Sequence, residues 1–335
     1  MNKRFLYAIS ALLCLILIMY GCNKKENEKN PVGVTGIELS SESEVLIIED
    51  NLRLTAGIMP ENATNKNISW ASSYEDIATV NEEGEIRALK AGVTTISATT
   101  EDGEFTANAV IYVGDAVVSK DYDETSDGYN TTRFNSVAAA INAMDENSTI
   151  VVKGGDYNEA LSIDKSVILI GTDKPVLSSI VMTADDTELR INGFEFINSE
   201  FPKGGEATIK GAIDGLLEII NCKFSIESEE DRSGGYAVFA SSGTDEITIK
   251  GCSIDNYRYG FYSHRAGADF DITNNTFTNL TIGIGIDVKA ASGAYNVPAS
   301  GEIGDNTFVD VNTRAEFFFN GDIYNGNLVF PDFQA

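Results

Sequence analysis

Ser241, His264 and Asp287 recur at intervals of 23 residues. These are the residue types of nucleophilic acyl transfer, in which a histidine takes the hydroxyl proton and a carboxylate orients the imidazole. On stacked strands they would form a single row about 5 Å apart at Cα, and no nucleophile-elbow sequence surrounds Ser241. The spacing therefore makes a column rather than a triad. Arg258, His264, Arg265 and Lys289 have the charge to neutralise and deprotonate an acidic sugar, but among 51 acidic residues they read more simply as surface charges. Sugar binding fits the residue types better. Phe239, Tyr257 and Tyr262 offer apolar ring faces, and Arg258, His264, Arg265 and Asp287 offer hydrogen bonds beside them. Packing of the same rings beneath loops is an alternative of equal weight.

A repeat would place these residues in one row. In Ile191/Phe196, Ile219/Phe224, Ile249/Ile254, Ile272/Phe277 and Ile303/Phe308, an isoleucine precedes an apolar residue by five positions, and successive pairs start 28, 30, 23 and 31 residues apart. A period of this length with variable loops predicts the coils of a parallel β-helix. In the register this implies, Tyr236, Tyr259 and Ile282 begin equivalent strands. Val238, Phe261 and Ile284 point inward with Ala240, Ser263 and Ile286, while Phe239, Tyr262 and Gly285 point outward. Upstream, Phe134, Val137, Ala138, Ile141 and Met144 fall on one helical stripe, placed to cap the open edge of the first coil. Cys222 and Cys252 occupy the same place in consecutive repeats. Their spacing allows a disulfide in an oxidising compartment; two buried thiols serving as small core residues are the other reading. Asn275 and Asn306 continue that column as a structural ladder.

Between residues 34 and 114, short alternating segments such as Leu52, Leu54, Ala56 and Ile58 are separated by turns at Pro60-Glu61-Asn62 and Glu82-Glu83-Gly84. This predicts a β-sandwich, with Trp70, the only tryptophan, in its core. Residues 115–131 read as a linker or entry loop and 132–335 as the β-helix, so the chain is all-β apart from its capping helix. A net charge of −27 excludes nucleic acid and anionic lipid as partners. The acidity would suit Ca²⁺, but no dense calcium-loop motif supports it. No cofactor is expected, and the thiols and one histidine are too few for a transition-metal site.

Lys3-Arg4, the apolar run Phe5 to Tyr20 and then Gly21-Cys22 have the layout of a signal peptide. They resemble the bacterial lipoprotein signal in the looser form of the Bacteroides group, since Met19-Tyr20 stands where a leucine and a small residue are usual. The resemblance implies loss of residues 1–21, lipidation of Cys22, a polar tether over 22–33 and an outer-membrane lipoprotein, surface-exposed or periplasm-facing. Val34-Thr35-Gly36-Ile37, Ile68-Ser69-Trp70-Ala71-Ser72-Ser73, Ile77-Ala78-Thr79-Val80 and Gly84-x-Ile86-x-Ala88 together resemble the group 2 bacterial immunoglobulin-like domain, which implies a spacer or adhesive module. The helix, Thr149-Ile150-x-Val152, Gly155-x-Tyr157-x-Glu159 and the stretch from Cys252 to Tyr262 resemble the pectin-lyase-like right-handed parallel β-helix, nearest the pectinesterases. Those enzymes use two aspartates on neighbouring coils. The matching positions here are Tyr259, preceded by Arg258 in place of a glutamine, and Gly283, neither of which is a carboxylate. The expectation is a lipid-anchored surface protein that lacks this ester hydrolysis and binds an extracellular polysaccharide or another surface ligand through its β-helix. A polysaccharide lyase or carbohydrate esterase with a non-standard site is one alternative, and a structural or adhesive protein is the other.

Overall fold

The computed structural model describes residues 30–199, 207–211, 215–227, 235–240, 244–263, 268–287, 300–318 and 327–329, with backbone alone at 244–245, 287, 300, 316–318 and 327–329. The expected signal segment and Cys22 lie outside the described residues, as do Ser241, His264, Arg265 and Lys289.

The N-terminal part is an immunoglobulin-like sandwich. A four-stranded sheet is ordered Ser43–Ile47, Thr106–Gly114, Gly92–Thr100, Ile68–Ser72, and a three-stranded sheet is ordered Asn51–Arg53, Glu85–Ala88, Ala78–Val80. Alternation decides what is buried: in Gly92–Thr100 every second residue from Thr94 to Thr100 is covered and those between are half-buried. Leu54, Ile86, Ala88, Ile96 and Ile111 fill the core and Trp70 packs at its margin. Gly84 has φ +76, and a Cβ there would come within 2.9 Å of the Trp70 ring, so both backbone and packing require glycine.

Beyond residue 115 the chain builds three parallel sheets of ten, seven and six strands. It visits them in turn, so successive coils stack around one core, which makes this part β-helix-like. The expected repeat is visible as two inward columns. Leu169, Ile191, Ile219, Ile249, Ile272 and Ile303 stack in the ten-stranded sheet. Leu177, Phe196, Phe224, Ile254, Phe277 and Phe308 stack in the six-stranded sheet. The rings of Phe196 and Phe224 lie 4.9 Å apart and those of Phe277 and Phe308 5.2 Å apart.

Between the two columns the backbone turns a corner. Gly193, Asn221, Gly251, Asn274 and Asp305 all have positive φ there, and these are the residue types that reach the left-handed region most readily. The next position on each coil points inward. Cys252 N donates to Asn275 Oδ1 at 2.9 Å, and Asn275 N donates to Asn306 Oδ1 at 2.9 Å. The two amide groups donate in turn to Ile249 O and Ile272 O, each at 2.8 Å. The ladder thus satisfies its own buried polar atoms. Cys222 and Cys252 are free, buried thiols that face the carbonyl oxygens of Ile220 and Lys250 at 3.3 and 3.4 Å. Burial pushes both thiols up, Cys252 to about 12. Both pack as members of the main core cluster.

Two expectations at the start of this part need correction. Ala116–Val118 is not linker but a buried strand, paired in parallel with both Arg133–Phe134 and Ser148–Val152. Its three side chains are all buried, so it is part of the packed structure. The helix is shorter than the apolar stripe suggests, running Val137–Ala143, with Phe134 in the preceding strand. Ser136 caps it by accepting from Ala139 N at 3.2 Å. The Glu159 carboxylate accepts from Val137 N and Ala138 N at 3.0 and 2.8 Å, and Tyr157 Oη donates to Lys153 O at 2.9 Å. The Gly-x-Tyr-x-Glu segment therefore fastens the helix and the first coil together.

Candidate functional site

The seven-stranded sheet sets the candidate residues in rows. Tyr236, Tyr259, Ile282 and Thr313 are register partners, as are Phe239, Tyr262 and Gly285. Val238, Phe261 and Ile284 share the inner row and are fully buried.

Strict alternation would send Tyr236 and Tyr259 inward with Val238 and Phe261. Instead Tyr236, Phe239, Tyr259, Tyr262 and Ile282 form an apolar cluster separate from the main core. The cause is the small residue that follows each strand start. Ala237 and Val238 are both buried in the core cluster. Gly260 and Gly283 hold the same place on the next coils. A Cβ on Gly260 would come within 2.6 Å of the Phe277 ring, and one on Gly283 within 2.7 Å of the Phe308 ring. Two consecutive residues thus face inward, and the residue before them is left on the outer side. Gly283 is accordingly a corner position closed by the phenylalanine column, with no room for any side chain.

The outer rings pack on one another. Tyr236 and Tyr259 stack at 5.0 Å, Phe239 and Tyr262 at 6.2 Å with planes 6° apart, and Tyr259 meets Tyr262 edge-on at 4.9 Å. These spacings fall in the favourable range for aromatic pairs. Tyr259 and Tyr262 are 9% and 8% exposed, while Tyr236 and Phe239 are half-buried. A Cβ on Gly285 would lie 2.5 Å from the Tyr262 ring, so glycine lets that ring lie against the next coil. Two exposed cations border the patch. The Arg258 guanidinium lies 5.2 Å from the centre of the Tyr259 ring, and Lys210 is the register partner of Phe239.

Tyr257 does not belong to this row. It is fully buried, with its hydroxyl 3.0 Å from Thr208 Oγ1. Burial pushes its phenol up to about 12, against the opposing effect of hydrogen bonds to Thr208 and Asn198. Asn256, with φ 66, turns the chain so that the following ring enters the core. Asp287 ends its strand opposite Phe318. Sequence reasoning placed Tyr236 and Tyr259 at strand starts but missed them as outer rings. The signal that would have found them is the Ala237, Gly260, Gly283 column beside them. The described side chains of this face offer an apolar surface bordered by Arg258 and Lys210, and Glu316 is the register partner of Gly285 in the same row. Among the described residues, no three His, Cys, Asp or Glu side chains stand together as a metal would require.

Residues 33–111 match the family model described as Bacterial Ig-like domain (group 2). An uncharacterized protein of Clostridium acetobutylicum is 40% identical over 77 residues, which is 23% of this chain and 8% of that protein. An alpha-L-arabinofuranosidase of Bifidobacterium longum is 38% identical over 82 residues, 24% of this chain and 8% of the enzyme. A kappa-carrageenase of Pseudoalteromonas carrageenovora is 32% identical over 71 residues, 21% of this chain and 18% of the enzyme. The two enzymes match in the immunoglobulin-like segment alone, so this chain spans less than a tenth of the length of the first two relatives.

Proposed function

We propose that this is a lipid-anchored outer-membrane protein whose second part is a right-handed, pectin-lyase-like β-helix capped by the Val137–Ala143 helix. In this reading, the outer face of its seven-stranded sheet binds an extracellular polysaccharide without transforming it. The basic start, apolar run and Cys22 support the anchor. The observation that carries the binding reading is the ring cluster of Tyr236, Phe239, Tyr259 and Tyr262, bordered by Arg258 and Lys210. Ring surface beside charged donors is the usual equipment of a sugar subsite. Tyr259 and Gly283 at the positions where the pectinesterases carry aspartates favour binding over ester hydrolysis. His264, Arg265 and Asp287 belong to the same proposed face by sequence, and the immunoglobulin-like part is the spacer that holds it off the membrane.

The test is a panel of immobilised plant, algal and host polysaccharides probed with the wild type and with Phe239→Ala and Arg258→Ala. Retention of one polysaccharide class, weakened about tenfold or more by either substitution, supports the reading. Release of methanol or acetate, or of unsaturated ends absorbing in the ultraviolet, would replace it with an esterase or lyase. No retention and no product would leave a structural or adhesive role.

A further inference from the structure

The outward column of the ten-stranded sheet changes character along the stack. In register it reads Val117, Val151, Ile170, Asn192, Ile220, Lys250 and Thr273. Val117 and Val151 are 2% and 0% exposed, although the coil interior on the other side takes Ala116, Val118, Ile150 and Val152. Their cover comes from earlier in the chain: Ile47 is buried with them, and Val45, Tyr112, Tyr122 and Ile170 pack around the three. All of these residues lie in one compact unit made of 39–55, 70–97 and 108–335.

The polar groups around this cluster are tied as closely. Strand Thr106–Gly114 runs into Ala116–Val118 with Asp115 alone between them. Asp115 N donates to Thr149 O at 2.8 Å, and Asp115 Oδ2 accepts from Thr149 N at 2.7 Å. Asp50 Oδ2 accepts from Ile47 N at 3.1 Å and from the Arg133 guanidinium at 3.1 Å. The pair is partly buried, so it is screened less than an exposed one.

We infer that segments 43–50 and 108–115 are the outer wall of the first coils, and that they unfold with the coil stack as one cooperative unit. Valine on both faces of a strand is stable only if both faces are covered. Without this wall, Val117, Val151 and Ile170 would be a contiguous apolar column in water. The sandwich segments in this unit are consequently a fixed mount for the coils and not a swivelling stalk.

Trp70, the only tryptophan, packs against the sandwich core and so reports on it, while far-ultraviolet circular dichroism is dominated by the coils. In the full chain, thermal transitions followed by the two probes are expected to coincide. Ile47→Asp places a charge in the shared cluster and is expected to separate the two midpoints by about 5 °C or more. Arg133→Ala leaves the cluster intact and removes the ion pair from the coil side, so a smaller separation in the same direction is expected even if Ile47→Asp fails to fold. Non-coincident transitions in the wild type would overturn the inference. So would a folded Ile47→Asp variant whose coil midpoint stays at the wild-type value, since the coils would then not depend on the wall.

Discussion

The ten-stranded and seven-stranded sheets wrap the same core, yet their outer faces are opposites. On the ten-stranded sheet the outward registers read Glu188, Leu216, Glu246, Asp269 and Arg190, Glu218, Thr248, Asp271, Glu302. Arg190 bridges Glu188 and Glu218 at 3.3 and 3.4 Å, and Lys250 pairs with Asp271. Further along, Glu246 stacks on Asp269 and Asp271 on Glu302, like charge on like. The corresponding coils of the seven-stranded sheet carry four interlocked rings. Carboxylates a strand spacing apart, about 4.8 Å, are tolerable only where water screens them. Rings at that spacing gain most from contact with one another. The acidic face is thus adapted to solvent and the aromatic face to contact, which is why the proposed ligand is placed on the second.

The largest effect should come from the core beneath both faces. Phe224→Ala empties a position stacked 4.9 Å from Phe196 and is expected to cost about 3–5 kcal/mol in denaturant unfolding. If an outer-face substitution cost more, the two faces would not be coverings on a common core. Next is Tyr262→Ala, which removes ring contacts to Tyr236, Phe239 and Tyr259 and is expected to cost about 2 kcal/mol. Thr248→Ala, half-buried on the other sheet, should stay within about 0.5 kcal/mol. Equal losses at Tyr262 and Thr248 would erase the contrast.

The columns were legible in the sequence because they need particular residue types. Ile and Phe five apart mark the two sides of a corner, and Gly, Asn or Asp at the turn marks the positive φ between them. The outer rows followed for Phe239 and Tyr262, where alternation holds. They failed for Tyr257, because Asn256 turns the chain into the core, and for Tyr259, because Gly260 lets two residues face inward. Ala116–Val118 was misread for a different reason. Three residues are too few for periodicity to speak, and the partners that bury them, Arg133–Phe134 and Ser148–Val152, are distant in sequence.

The contrast also runs inward, from a surface that carries charge to a core that refuses it. Cys222 and Cys252 have thiols raised by burial, Cys252 to about 12. The unfolded thiols ionise near 8.5, so above that pH the unfolded chain releases protons that the folded chain keeps. Stability is therefore complete below about pH 8.5 and falls toward pH 12, by up to about 1.4 kcal/mol per pH unit for each thiol. Cys252→Ala should flatten this slope in unfolding titrations between pH 8 and 11. An unchanged slope would mean that the thiol ionises in place.

The smallest effect tests the acidic face itself. Glu302 is exposed and in register with Asp271, which already has Lys250 as its partner. Glu302→Gln removes one of two stacked charges without breaking an ion pair. It is expected to raise stability by roughly 0.2–0.5 kcal/mol at low salt, and the gain should vanish near 1 M salt, where the screening length is about 3 Å. Asp271→Asn removes the same repulsion but also the attraction to Lys250, so it should change stability less than Glu302→Gln. If Glu302→Gln destabilised the protein at every salt concentration, the carboxylate would be held by a favourable contact, and the later coils of the ten-stranded sheet would no longer present a face adapted to water alone.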